Sequence, residues 1–501
     1  MSRGKDLTHA LGDAAVRRLR ASLLTLALLA GGHSAAAAAD GAAGAAPTAP
    51  AASAQQNSYA DAVQRVTPAV VTVRSERKVR ASQQFPFMDD PRFREFFGQR
   101  TPRGEQEPRT ERQSGLGSGV IVSRDGYILT NHHVIDGAEQ ITIETSDNRA
   151  FRARLVGSDP PSDLAVLKIE AANLPVLSLA NSDEVRVGDV VLAVGNPLGV
   201  GQTVTQGIIS AKGRATGLGD GSFEDFLQTD APINRGNSGG ALVSTTGELV
   251  GINSQILSPS GGSIGIGFAI PSNMARNVMQ QLITTGKVRR GVLGIFGQAL
   301  SADLAAGFGL EQARGALVSE VQPNSPAAAA GVRRGDVIVA IDGSPVADYN
   351  SLRNRIASTQ PGSTVALRVL RDGREQQLRA TLGEREAEAA REGESDGSGP
   401  GGQRASGGRL GLSVEALTPE MAQRLNLPAD ARGLLVTSVT ADGPAAEAGL
   451  RRGDLIQEVN RQPVNTREEL NAAVNRAGDK PLLLLVTREG RSSYLAVRPR
   501  Q

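Results

Sequence analysis

The stretch NRGNSGGAL, residues 234–242, sets one serine, Ser238, among Gly236, Gly239 and Gly240. Glycines allow a tight turn in which backbone N–H groups converge on one point. A serine that attacks a carbonyl needs such a place, because its hydroxyl is a weak nucleophile and the oxyanion formed requires fixed donors. Gly236, Asn237 and Ser238 therefore read as an oxyanion hole, with the N–H groups of Gly236 and Ser238 as the natural donors. The plain alternative is an ordinary glycine-rich turn. What separates the two is where the chain keeps a base and an acid.

Imidazole is scarce. Of four histidines, His9 and His33 lie near the N-terminus, and His132 and His133 stand side by side in TNHHVID, residues 130–136. No histidine follows His133. The nucleophile elbow of α/β-hydrolases orders its triad serine, acid, histidine, and that order is impossible here; the chymotrypsin order of histidine, aspartate, serine is available. The acid should lie between. Asp163, in GSDPPSDLAVLKI (157–169), directly precedes an apolar strand-like run and is favoured over Asp159 in the Pro-flanked turn. An isolated aspartate is otherwise a turn residue or cap. The chain has no cysteine, so thiolate catalysis and Cys-ligated metal are excluded. Adjacent histidines in an extended segment point to opposite faces, which makes shared chelation awkward. No metal and no cofactor is expected.

Around this stretch, short β-branched runs bounded by Gly, Asn, Asp and Pro recur from 115 to 272: SGVIV, GYILT, AVLKI, VVLAV, GIISA, ALVS and LVGIN. Many short strands with few helical windows predict a mainly β barrel or sandwich. A helix is predicted over 272–285, opened by Pro271 and Ser272 and closed by Gly286. At 501 residues there is room for three or four domains.

The chain's ends and joints have their own composition. Arg17, Arg18 and Arg20 precede the apolar run ASLLTLALLA and a small-residue site, which predicts a secretory signal over 1–39 and export. The run is too short to span a bilayer, so no stable membrane span is expected. Loss of that segment would take the formal net charge from +2 to −1, and nothing favours nucleic-acid binding. Residues 40–57 read as a flexible tether. Within a polar loop over 78–114, Phe85, Phe87, Phe93, Phe96 and Phe97 cluster, either as a local helix or as a contact between subunits. A segment at 315–346 repeats at 433–464 with a constant offset of 118, and 384–408 between the copies has linker composition. Two tandem small domains follow, over 288–383 and 409–501, after a catalytic domain over 58–287.

GLGSGVIVSRDGYILTNHHVI, SDLAVLKI, VGNPLG, QTDAPINRGNSGGALV and GFAIPS, in that order, resemble the HtrA/Deg (Do-like) serine proteases, and the repeats resemble that family's two C-terminal PDZ domains. The resemblance implies a chymotrypsin-like double β-barrel followed by two PDZ domains, with a triad of His133, Asp163 and Ser238. It also implies a periplasmic location, trimers or larger assemblies, and unfolded or misfolded envelope proteins as substrates. The family usually has Asn where this chain has His132. The expected alternative activity is a chaperone or PDZ scaffold with little proteolysis.

Enzymes that cut after Lys or Arg keep an acid six residues before the nucleophile; here that position is Pro232. Ile233, Asn234, Asn253, Ser254, Gln255 and Ile256 form the expected pocket, small and apolar, with Asp230 as a competing acid. In the repeats, Leu293, Gly294 and Ile295, and Leu410, Gly411 and Leu412, are the expected loops whose N–H groups hold the terminal carboxylate of a peptide that adds as a strand. Structural spacers without a ligand are the alternative. The RRGD segments at 333–336 and 451–454 read as fixed turns.

Overall fold

The computed structural model describes residues 58–80, 110–196, 201–216, 222–259, 261–384, 408–424, 427–428 and 430–500. The expected signal segment, the tether, the Phe85–Phe97 cluster and nearly all of the 384–408 linker lie outside them.

Two antiparallel barrels form the first half. Helix α1 (Ala60–Val66) leads into β1 (Val70–Arg80), β2 (Thr110–Ile121), β3 (Tyr127–Thr130), the helical turn α2 (His132–Ile135), β4 (Gln140–Glu144), β5 (Ala150–Asp159) and β6 (Leu164–Lys168). These strands close in the order β1-β2-β3-β6-β5-β4. The second barrel comprises β7 (Val190–Gly195), β8 (Thr203–Arg214), β9 (Phe226–Thr229), β10 (Ala241–Ser244), β11 (Leu249–Ile256) and β12 (Gly267–Pro271), closed as β10-β11-β12-β9-β8-β7.

Several of these strands read as unbroken apolar runs because both faces are buried. In β6, Ala165 and Leu167 fill the first barrel, while Leu164 and Val166 face the seam between barrels. In β12, Ala269 fills the second barrel, while Phe268 and Ile270 join the same seam. Each fully buried side chain of this kind contributes roughly 1.5–3 kcal/mol, so the seam fixes the two barrels against each other. Helix α3 (Ser272–Thr285) lays Ala275, Val278 and Leu282 on the seam and stops at Gly286, whose φ is 73°. Its bounds are those the sequence predicts.

Each repeat is a curled antiparallel sheet with one longer helix. The first has strands Ile295–Ala299, Ala316–Val321, Val337–Ile341, Thr364–Arg371 and Arg374–Thr381 in that order, with helix Tyr349–Ser358. The second has Leu412–Ala416, Leu434–Val439, Leu455–Val459, Leu482–Arg488 and Arg491–Val497, with helix Arg467–Ala477. The RRGD segments are turns in both. Buried Asp336 accepts the N–H of Arg333 at 2.8 Å and both Nε and Nη2 of Arg371 at 2.7 Å. Asp454 repeats the arrangement with Arg451 and Arg488.

Candidate active site

Three loops bring the chemistry to the seam: α2 and the β5–β6 connection from the first barrel, and the β9–β10 connection from the second. A single 3-10 turn, Pro160–Ser162, ends in Asp163 at φ 54° and ψ 38°. A non-glycine residue there carries strain of about 1–3 kcal/mol and persists only where its surroundings hold it. They do so at several atoms. The Asp163 carbonyl accepts from the His132 N–H at 3.1 Å and from Asn131 Nδ2 at 3.0 Å. Its carboxylate accepts from the His133 N–H at 3.0 Å, from Ser254 Oγ at 2.8 Å, and from His133 Nδ1, which lies 2.9 and 2.8 Å from its two oxygens. With Nδ1–H given to the carboxylate, the lone pair sits on Nε2, the tautomer a general base needs.

Residues 132–135 form a helical turn, not the extended segment assumed from sequence. The rings of His132 and His133 diverge all the same. His132 Nε2 lies 3.6 Å from Asp136 Oδ1, and its Nδ1 is buried with no hydrogen-bond partner.

Asp159, the alternative acid, is engaged elsewhere. Its oxygens meet Arg290 Nη1 and Nη2 at 2.8 and 2.5 Å, and it caps the 3-10 turn through the Ser162 N–H at 3.1 Å. The guanidinium of Arg290 also lies 4.5 Å over the Phe223 ring. Nothing in the sequence links Arg290 to Asp159, which lies 131 positions earlier.

On the facing barrel, Ser238 Oγ donates to the Ser254 carbonyl at 2.9 Å, so this hydroxyl is turned toward β11 rather than toward the imidazole. Ser118 on β2 binds both ends of the turn: its N–H donates to the Ser238 carbonyl at 2.8 Å, and its Oγ to the Gly236 carbonyl at 2.6 Å. Gly239 has φ 83°, and a Cβ there would stand 2.1 Å from the Ser118 carbonyl oxygen, so the turn admits only glycine. Among the described residues no acceptor takes the N–H of Gly236 or Ser238, which leaves both for an oxyanion. Asn237 departs from the expectation. Its N–H donates to the Asn234 carbonyl at 3.0 Å, closing the turn, and is not a donor to the hole.

The expected pocket is also revised. Asn253 is fully buried and donates to the Ala241 carbonyl at 3.0 Å, so it supports the barrel instead of lining a pocket. The Ser254 side chain is given to Asp163. Ile233 is buried in the second barrel's core beside half-buried Ile256. Gln255 Nε2 lies 3.3 Å from Thr216 Oγ1, and Asn234 Oδ1 accepts the Ser263 N–H at 3.0 Å. Asp230 Oδ1 accepts the Ile208 N–H at 2.7 Å, which ties it to β8.

In the first repeat, Gly294 turns at φ 77°, and the N–H groups of Leu293 and Gly294 meet no acceptor among the described residues. The Leu293 side chain is core. Beside the loop, Tyr349 Oη donates to the Ile295 carbonyl at 3.4 Å. In the second repeat the Gly411 N–H donates to the Gly408 carbonyl at 2.7 Å, so this loop has one carboxylate donor fewer than expected. The Leu410 side chain is core and Leu412 packs half-buried against it.

Paired barrels with histidine, aspartate and serine at their seam define a trypsin-like serine peptidase, here followed by two PDZ domains. A family description for the trypsin-like peptidase domain matches residues 117–252, and descriptions for PDZ domains match 279–382 and 435–488. The chain is 42% identical over 456 residues to the probable periplasmic serine protease do/HhoA-like of Haemophilus influenzae, covering 89% of this chain and 92% of that protein. It is 43% identical over 447 residues to the periplasmic pH-dependent serine endoprotease DegQ of Escherichia coli, covering 88% and 91%. A solved structure titled HtrA-type protease AlgWS227A with decapeptide is 49% identical, spans 66% of this chain and all of that one, and superposes with a TM-score of 0.53. The chain therefore belongs to the DegP/DegQ-like, HtrA-type family of serine endoproteases. It is a serine endopeptidase, and a proteolytically silent scaffold is not favoured. Among the described residues no helix is long and apolar enough to cross a membrane.

Proposed function

We propose that the chain cleaves unfolded or misfolded polypeptides in the periplasm, using Ser238 as nucleophile, His133 as base and then acid, and Asp163 to orient the imidazole. The observation that carries this is the set of contacts tying Asp163 to His133. When the Ser238 hydroxyl turns from the Ser254 carbonyl to Nε2, its proton passes to the ring as Oγ bonds to the scissile carbonyl carbon. The oxygen of that carbonyl becomes an oxyanion facing the N–H groups of Gly236 and Ser238. Collapse breaks the C–N bond, and the imidazolium gives its proton to the leaving amine. A water, deprotonated by the same ring, then releases the acyl group.

Ile256, with Ile233 packed beneath it, favours a small β-branched side chain before the scissile bond. Such residues are buried in folded proteins, so the preference selects unfolded chains. The first PDZ domain binds peptide C-termini through the Leu293 and Gly294 N–H groups. Export by residues 1–39, the domain limits read from the sequence, and a homo-trimer or larger assembly belong to the same proposal, on the strength of the resemblance and of relatives whose names include periplasmic. Quenched peptides varied only at the residue before the bond test it. Val or Ile should exceed Lys by about tenfold or more in kcat/KM, and a preference for Lys would return Asp230 to the pocket.

A further inference from the structure

Ser118 stands where three segments meet. It is fully buried on β2, in the first barrel, yet its hydroxyl bonds only to residues of the second. Oγ accepts the N–H of Asn196, the residue after β7, at 2.9 Å and donates to the Gly236 carbonyl at 2.6 Å. A backbone N–H can only donate, so the hydroxyl proton is left for Gly236 and the direction of both bonds is fixed. The Ser118 main chain is engaged as well: its N–H donates to the Ser238 carbonyl at 2.8 Å, and its carbonyl accepts from Thr130 Oγ1 at 2.7 Å. Thr130 directly precedes Asn131, His132 and His133. One buried residue thus joins the segment ahead of the imidazole, the end of β7 and the Ser238 turn.

The bond to Gly236 falls on the peptide unit that an oxyanion depends on most. The carbonyl of Gly236 and the N–H of Asn237 belong to one plane. Ser118 holds the first, and the Asn234 carbonyl accepts the second at 3.0 Å. That plane lies between the N–H of Gly236 and the N–H of Ser238, the two groups that meet no acceptor among the described residues. Pinning it at both edges fixes the torsions on either side, and with them the angle between the two N–H groups. Gly236, at φ 99°, has wide conformational freedom of its own, so the restraint comes from outside it. The packing is close here: a Cβ on Gly240 would stand 3.2 Å from Ser118 Cβ, and one on Gly195 3.1 Å from its Oγ.

We infer that Ser118 is a positioning residue for the oxyanion: its hydroxyl aims the Gly236 and Ser238 N–H groups, and its main chain sets their turn against the segment that carries the imidazole. It touches neither substrate nor reacting atoms. A residue that only filled space would lower stability and leave turnover per folded molecule alone. Positioning acts on the transition state, because aimed donors gain most where charge develops on the carbonyl oxygen.

The inference rests on the reading of Ser238 as nucleophile, so Ser238→Ala runs beside every variant. The full-length protein is assayed on one quenched peptide, with kcat and KM separated and the acid limb of kcat/KM recorded. A peptide boronate of the same sequence mimics the tetrahedral adduct: boron bonds to Ser238 Oγ as the proton passes to the imidazole, and a boron-bound oxygen faces the two N–H groups. Ser118→Ala should lower kcat by about 10- to 100-fold with KM within about twofold, and should weaken the boronate by the same factor as kcat/KM. The midpoint of the acid limb should match wild type, because Asp163 and not Ser118 holds the imidazole. Ser118→Cys keeps a weak donor and should fall between the two. If Ser118→Ala does not fold, Thr130→Val decides, since it withdraws a hydroxyl from the Ser118 carbonyl and leaves the Gly236 bond in place; kcat should drop by about threefold or more with KM unmoved. A kcat equal to wild type in whichever variant folds, a loss confined to KM, an unweakened boronate or a displaced acid limb would each overturn the inference. Full activity in Ser238→Ala would overturn the reading of the nucleophile instead.

Discussion

Asp163 holds His133 twice, through the backbone N–H at 3.0 Å and through ring Nδ1 at 2.8 and 2.9 Å. The same residue's carbonyl accepts from Asn131 and from the His132 N–H, so the Asn-His-His segment and Asp163 are one hydrogen-bonded unit. The left-handed backbone of Asp163 is what allows its carbonyl and its carboxylate to face the same segment. Asp163→Asn keeps the size but offers Nδ1–H one acceptor in place of a carboxylate. We expect kcat to fall by about 1,000-fold or more with an unchanged circular dichroism spectrum, checked on a quenched peptide.

The two histidines should respond very differently. His133→Ala removes the base and should abolish peptide cleavage. His132 contributes its N–H to Asp163, which any residue but proline supplies, and its ring makes no contact with the triad carboxylate. His132→Asn should retain activity within about threefold of wild type; a loss matching that of His133→Ala would reverse the assignment.

The Asp159–Arg290 pair tests structure apart from catalysis. Both side chains are largely buried, at 7% and 11% exposure. Asp159→Ala leaves a buried guanidinium without its anion and should destabilise the protease domain by about 3–5 kcal/mol. Arg290→Met in the same chain should restore much of that. Urea unfolding of the single and double variants reads the difference.

Burial, with Asp183 and Asp348 nearby, raises Asp225 from the ordinary carboxylate range to about 6. Its protonated form is thus favoured by folding. The contribution is fully present below about pH 4 and is lost as pH rises through about 6, because ionisation then opposes the fold. Asp225→Asn should stabilise the protein by up to roughly 3 kcal/mol at pH 7.5 and by little at pH 4, measured as the shift in urea midpoint at each pH.

The sequence makes the candidate trio legible because bases were scarce: one histidine pair outside the N-terminus, a serine set among Gly236, Gly239 and Gly240 after it, and an acid heading a buried strand. The strands were legible for a related reason, since β6 and β12 bury both faces and show as continuous apolar runs. What stayed hidden depends on which way a backbone group turns. Asn237 and Gly411 look like carboxylate or oxyanion donors until their N–H groups are seen closing local turns. Asn253 and Ser254 occupy pocket positions in sequence, yet one supports the barrel and the other binds Asp163. Ser118 left no signal, because a serine on a strand carries no mark of the two carbonyls it will meet.

The function proposed for the site turns on Ser238, activated through His133 and Asp163, cutting peptide bonds. Digestion of unfolded casein by the full-length protein, beside Ser238→Ala at equal concentration, measures it most directly. Wild type should yield fragments and the variant none above background, with both chains showing the same melting curve. Equal turnover by the two proteins would contradict it.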